Sequence, residues 1–316
     1  MLLACDSQNP PTPTASPTTA PSPSASTLPT PSQTPTGASP TPTPTQAPED
    51  ELTIVRTVPY ATSGECGERL SECQQFVDVY APGGASGLPV AVMVHGRPRT
   101  PSDMAELARA VAEGGAVVFN ADYRGVRPVR QQGWPEAVQD VACAVRFARA
   151  NAPAYGGDAS RLVLVGHSFG GYVGTLVALA GDEFNGECLA GAESALPDAW
   201  VSIGGNCLVG VPPPPHPLWE VFYGGSEDEK PGAWEKGDPR EHVGGNPDLV
   251  VRFIHERDDE IVEIVQPRTL LRQLRDAGYD VSLTVLEGSD HWAPLDVDGH
   301  GAVSRDIILG LLGVGG

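Results

Sequence analysis

The stretch Arg161-Leu162-Val163-Leu164-Val165-Gly166-His167-Ser168-Phe169-Gly170-Gly171 decides how this chain is read. Its first half is an unbroken apolar run, the signature of a strand buried on both faces. Its second half puts a serine between glycines at a sharp turn. Small flanking residues let a backbone turn tightly from strand into helix and hold the hydroxyl clear of the sheet. The spacing fits G-x-S-x-G, and Gly171 adds room for close packing behind the serine. Ser168 is therefore the candidate nucleophile.

A serine hydroxyl attacks poorly until a base removes its proton, and an acid must hold that base in one tautomer. Downstream of such an elbow the acid is expected first and the histidine second. Val250-Val251-Arg252-Phe253-Ile254-His255 reads as a buried strand, followed by Asp258, Asp259 and Glu260. Val281–Leu286 reads as the next strand, followed by Glu287-Gly288-Ser289-Asp290-His291-Trp292. The candidate triad is Ser168, Asp259 and His291, with Asp258 as the alternative acid.

On either side of this stretch, strand and helix patterns alternate. Leu52–Val58, Phe76–Tyr80, Pro89–Val94, Ala116–Asn120 and Trp200–Ile203 read as further strands. Pro101–Ala112, Trp134–Asn151, Ser168–Leu179, Pro267–Ala277 and Val303–Leu312 read as helices. Buried strands separated by helices predict an α/β fold, a mostly parallel sheet with helices on both faces. Residues 51–316 are enough for one such domain. Within it, 206–248 is rich in Pro and Gly and carries Trp219, Phe222, Tyr223 and Trp234. It is expected to be irregular, either a cover for the core or a wall of a substrate pocket.

Residues 7–50 are dominated by Pro, Thr and Ser. Such a composition buries too little apolar area to offset its ordering entropy and reads as a disordered tether. Residues 1–6 hold Leu2-Leu3-Ala4-Cys5, which looks like the lipobox remnant of a bacterial lipoprotein signal. A lipidated Cys5, attachment to a membrane and an extracytoplasmic location are the expectation. No apolar run is long enough to span a bilayer. Among the other cysteines, Cys66 with Cys73 and Cys188 with Cys207 are the expected bridges, while Cys143 reads as a buried free thiol. The Cys spacing matches no zinc pattern. With 40 acidic against 20 basic residues the chain repels phosphate backbones, which argues against a nucleic-acid partner.

With the elbow, acid loop and base loop in view, the chain resembles the α/β-hydrolase superfamily from about Phe76 onward. Within it, it is similar to carboxylesterases, feruloyl-esterase-like and dienelactone-hydrolase-like enzymes, and to prolyl-oligopeptidase catalytic domains. The segments Trp134–Val141, Ala144–Phe147 and Asp158–Arg161 carry the resemblance before the elbow. Asp259, followed by Ile261-Val262, matches the family acid, although Glu263 stands where a proline is usual. Glu256 stands where a glycine often follows the strand histidine.

The resemblance implies an oxyanion hole from the backbone N–H of Phe169 and of Arg97, in the loop His95-Gly96-Arg97, with Gly96 as the alternative donor. It implies a small-molecule ester substrate, an acyl-enzyme and no cofactor or metal. Gly96, Trp219, Trp234 and Trp292 are the candidate pocket residues. Two other readings remain: a peptidase or amidase of the prolyl-oligopeptidase type, and a lipid-tethered binding protein that keeps the fold without turnover.

Overall fold

The computed structural model describes residues 51–62, 74–84, 86–97, 100–124, 133–189, 191–192, 194–205, 208–209 and 218–315. The expected tether at 7–50, Cys5, and the cysteines at 66, 73 and 207 lie outside the described residues. In chain order the described elements are β1 (Leu52–Thr62), β2 (Gln74–Pro82), β3 (Leu88–Val94), α1 (Ala105–Glu113), β4 (Val117–Ala121) and α2 (Glu136–Asn151). There follow β5 (Gly157–His167), α3 (Phe169–Ala180), β6 (Ala199–Ile203), α4 (Leu218–Tyr223) and α5 (Pro231–Lys236). The chain closes with β7 (Val250–Glu256), α6 (Val265–Asp276), β8 (Asp280–Leu286) and α7 (Gly301–Leu312).

The strands form one sheet in the order β1-β2-β4-β3-β5-β6-β7-β8. β2 runs antiparallel to β1 and β4, and the remaining neighbours are parallel. The apolar runs explain this arrangement. Side chains alternate between faces. Val90, Val92, Val94, Leu162 and Leu164 point into a core shared with α2, α3 and α6. Ala91, Met93, Val163 and Val165 point into the opposite core with α1 and α7. A central parallel strand needs both sets apolar, because helices cover both faces.

Strand β5 continues to His167, so Ser168 belongs to neither strand nor helix. The sequence places Ser168 at the start of a helix. The structure begins α3 at Phe169, because Ser168 adopts φ 54°, ψ −118°, which no helix accommodates. Behind it, a Cβ on Gly170 would strike the carbonyls of His95 and Val94, the latter at 2.5 Å. A glycine is the residue that lets α3 lie this close to the end of β3.

Two expectations are corrected. The segment 206–248 is not wholly irregular: α4, α5 and a 3₁₀ turn at Pro239–His242 occupy its described part. Trp219, Phe222, Tyr223 and Trp234 are buried in the same core as α2 and α3, so their apolar area goes to covering that core. The second correction concerns cysteine pairing. Cys143 is not a free thiol and Cys188 does not pair with Cys207. Cys143 of α2 is joined to Cys188, with Cα atoms 5.2 Å apart. The cause is topological. Cys188 forms a bridge to Ala61 at the end of β1, and this brings it over the buried face of α2.

Candidate active site

Parallel strands deliver their following loops to one edge of the sheet, where α/β proteins place their ligands. The loops after β3, β5, β7 and β8 carry His95-Gly96-Arg97, Ser168, Asp259 and His291 in turn.

Ser168 is one of two non-glycine residues with positive φ among those described, the other being Thr57. Such a conformation costs about 1–3 kcal/mol and persists only where the surroundings over-determine it. Here the Ser168 amide donates to Ile203 O at 3.0 Å, and its carbonyl accepts from Gly171 N at 2.8 Å. Gly96 packs against it, since a Cβ at 96 would lie 2.8 Å from Ser168 Cβ.

Across the site, His291 Nδ1 donates to Asp259 Oδ2 at 2.7 Å. Both side chains are almost fully buried. Asp259 Oδ1 accepts from the amides of Ile261 and Val262, each at 2.8 Å. Burial alone would raise the Asp259 carboxyl. The hydrogen bonds from His291 and from those amides outweigh it and hold the group below the ordinary carboxylate value. His291 Nε2 is buried and has no hydrogen-bond partner among the described residues. His291 therefore presents one nitrogen to an acid and keeps the other bare.

Asp258 makes a different contact. Its amide donates to Gly288 O at 2.9 Å, one of three backbone hydrogen bonds that lace the acid loop to the base loop. His255 donates from Nε2 to Val262 O at 2.7 Å and lies 3.7 Å from Asp259 Oδ2. Burial pulls its pKa below the ordinary histidine value.

Residues outside the candidate triad and the His95-Gly96-Arg97 loop also shape the site. His167 donates from Nε2 to His291 O at 3.0 Å, and its ring packs on those of His291 and Trp292 at 4.8 and 4.7 Å. Tyr123 donates to His95 O at 2.8 Å and stacks on its ring, propping the loop that carries Gly96 and Arg97. Arg124 forks onto buried Asp140 of α2 at 2.8 and 2.7 Å, which anchors the Tyr123 segment in turn. The available signal was a lone acid on the apolar face of α2. Arg97 is half-buried, and desolvation lowers its guanidinium from the ordinary value. Trp219 touches Phe169, next to Ser168, with ring centroids 6.0 Å apart. Trp234 packs on Tyr223 at 4.9 Å, and its Nε1 donates to Gly225 O.

Residues 77–201 match the family model described as BD-FAE. Esterase LipC of Mycobacterium tuberculosis is 29% identical over 223 residues, 67% of this chain and 52% of that protein. The chain thus spans about half the length of the curated relative it matches. Among solved structures, a truncated carbohydrate esterase from gut microbiota superposes with TM-score 0.67 at 19% identity, covering 84% of this chain and 97% of the other. A bacterial heroin esterase gives 0.64 at 19% identity, covering 85% and 86%. A thermophilic esterase of the planctomycete Thermogutta terrifontis gives 0.56 at 19% identity, covering 84% and 89%. Sheet order and these likenesses agree on an α/β-hydrolase fold, and the proteins the chain is similar to are named esterases.

Proposed function

We propose that the chain is a serine hydrolase of carboxylic esters, with Ser168, His291 and Asp259 as its triad. The observation that carries this reading is the state of His291, tied to Asp259 through Nδ1 and bare at Nε2, on a ring packed against the residue before Ser168. His291 Nε2 takes the Ser168 proton as Oγ attacks the ester carbonyl. The carbonyl oxygen becomes an oxyanion, held by the N–H groups of Phe169 and Arg97, with Gly96 the alternative to Arg97. Collapse expels the alcohol, which takes its proton from His291. Water then repeats the sequence and releases the acid. The class of bond follows from the relatives, several of which are named esterases.

The test is hydrolysis of p-nitrophenyl acetate together with labelling by a fluorophosphonate probe. Both are expected in the wild type and both lost in Ser168→Ala. Folded protein that takes no label at Ser168 would overturn the assignment.

We further propose that the chain works outside the cytosol, held to a membrane through lipidated Cys5. The Cys143–Cys188 bridge supports the oxidising compartment. Labelled fatty acid should enter the wild type and be absent from Cys5→Ser; equal labelling of both would refute the anchor.

A further inference from the structure

Glu256, the last residue of β7, occupies a position where the resemblance leads one to expect glycine. Its side chain is 0% exposed, yet it is a carboxylate. Oε1 accepts from His300 Nδ1 at 2.6 Å. His300 is 40% exposed and sits at the start of α7, beyond the loop that carries His291. Oε2 has no hydrogen-bond partner among the described residues and presses against Gly288, where a Cβ would collide with it. Gly288 opens the base loop, and its carbonyl accepts from Asp258 N.

One buried carboxylate therefore touches both ends of the base loop, Gly288 before His291 and His300 after it. It also lies three residues before Asp259, on the strand that aims the acid. Burying a carboxylate with one partner is costly unless something is gained. We propose that Glu256 is a positioning residue: with His300 it clamps the base loop onto the end of β7, fixing the separation of His291 from Ser168. This rests on the esterase reading above. The clamp does not contact substrate, so its loss acts through the geometry of His291. A small displacement of a catalytic group costs on the order of 10²-fold in rate.

The experiment uses the full chain with Glu256→Ala, Glu256→Gln, Gly288→Ala and the double variant Glu256→Ala/Gly288→Ala. Hydrogen exchange over residues 257–262 and 286–300 is read beside ester kinetics and melting temperature. Glu256→Ala is expected to speed exchange over 286–300 and to lower kcat about 10–100-fold with KM within about twofold. Glu256→Gln, which keeps an acceptor for His300, should recover most of the rate. Gly288→Ala should lose activity in the wild-type background and lose little more in the Glu256→Ala background, where the colliding oxygen is gone. A fall in melting temperature with unchanged kcat and unchanged exchange would overturn the clamp, as would additive effects in the double variant. Exchange does not depend on turnover, so a wild type that hydrolyses no ester would sink the esterase reading while leaving the loop measurement intact.

Discussion

Replacing Asp259 by asparagine tests the site at its most constrained point. The carboxylate accepts three hydrogen bonds: Oδ1 from the Ile261 and Val262 amides, Oδ2 from His291 Nδ1. Asparagine has one acceptor oxygen and one donor NH₂. If its oxygen turned toward His291, the NH₂ would face two backbone donors. The amide therefore keeps its oxygen on Ile261 and Val262 and directs the NH₂ at His291 Nδ1. The imidazole must then accept at Nδ1 and carry its proton on Nε2, the nitrogen required to deprotonate Ser168. The base is present but in the wrong tautomer.

Turnover is expected to fall on the order of 10³–10⁴. That corresponds to roughly 4–5.5 kcal/mol of lost transition-state stabilisation. Asp258→Asn leaves its backbone bond to Gly288 intact and should change turnover by no more than a few-fold. Both variants are assayed on p-nitrophenyl acetate, with circular dichroism to exclude unfolding. If Asp258→Asn is the dead variant and Asp259→Asn is near wild type, the acid is its neighbour. If neither matters, the acid lies elsewhere and the His291 contact is structural.

Three further outcomes are expected. Alkylation without reductant should leave Cys143 and Cys188 unmodified, and Cys188→Ser should cost about 4 kcal/mol, the chain-entropy value for a separation of 45 residues; alkylation of both in folded protein would refute the pairing. Because burial depresses His255, the unfolded chain binds its proton first as pH falls, so its contribution is complete above 6.5 and lost below it. Melting temperature should therefore fall as pH drops below about 6.5, and less steeply in His255→Gln; equal slopes would exclude His255 as the cause. Gly170→Ala should unfold the chain or shift α3 and abolish labelling of Ser168, since its Cβ meets backbone rather than a movable side chain; a stable, fully active variant would refute the claim that the site needs this close approach of α3 to β3.

Much of the sheet was legible because its central strands are continuous apolar runs, and a run such as Leu162–Val165 has few other uses. The helices α2 and α3 declared themselves by period and by glycine. What escaped reading depends on contacts far apart in sequence or on elements too short to show a period. Asp258 and Asp259 differ only in which way a side chain leaves the loop after β7, and the hydrogen bond to His291 is a tertiary fact. Cys188 meets Cys143 because the end of β1 passes over α2, which spacing alone does not encode. The helices α4 and α5 have six residues each, less than two turns, in a segment whose Pro and Gly content reads as loop. Glu256 gave no signal as a buried group, because a single carboxylate at a strand end carries no pattern.

The elbow shows how the fold bears the cost of its own site. Ser168 holds a backbone conformation worth about 1–3 kcal/mol of strain, and its own two backbone hydrogen bonds return only part of that. The rest comes from neighbours that leave it no alternative. β5 is fixed on both sides by β3 and β6 up to Gly166 and His167. α3 is buried along its whole length and seated against β3 through Gly170. With strand and helix both immobile, the single residue between them must absorb the change of direction. The same immobility aims the N-terminus of α3, the positive end of its dipole, at the point where the carbonyl oxygen of a substrate attacked by Ser168 would become an oxyanion. On this account the strain at Ser168 and the oxyanion hole proposed at Phe169 have one origin. A substitution that loosened α3 would relax φ at 168 and lose oxyanion stabilisation together, even if the triad hydrogen bond stayed intact.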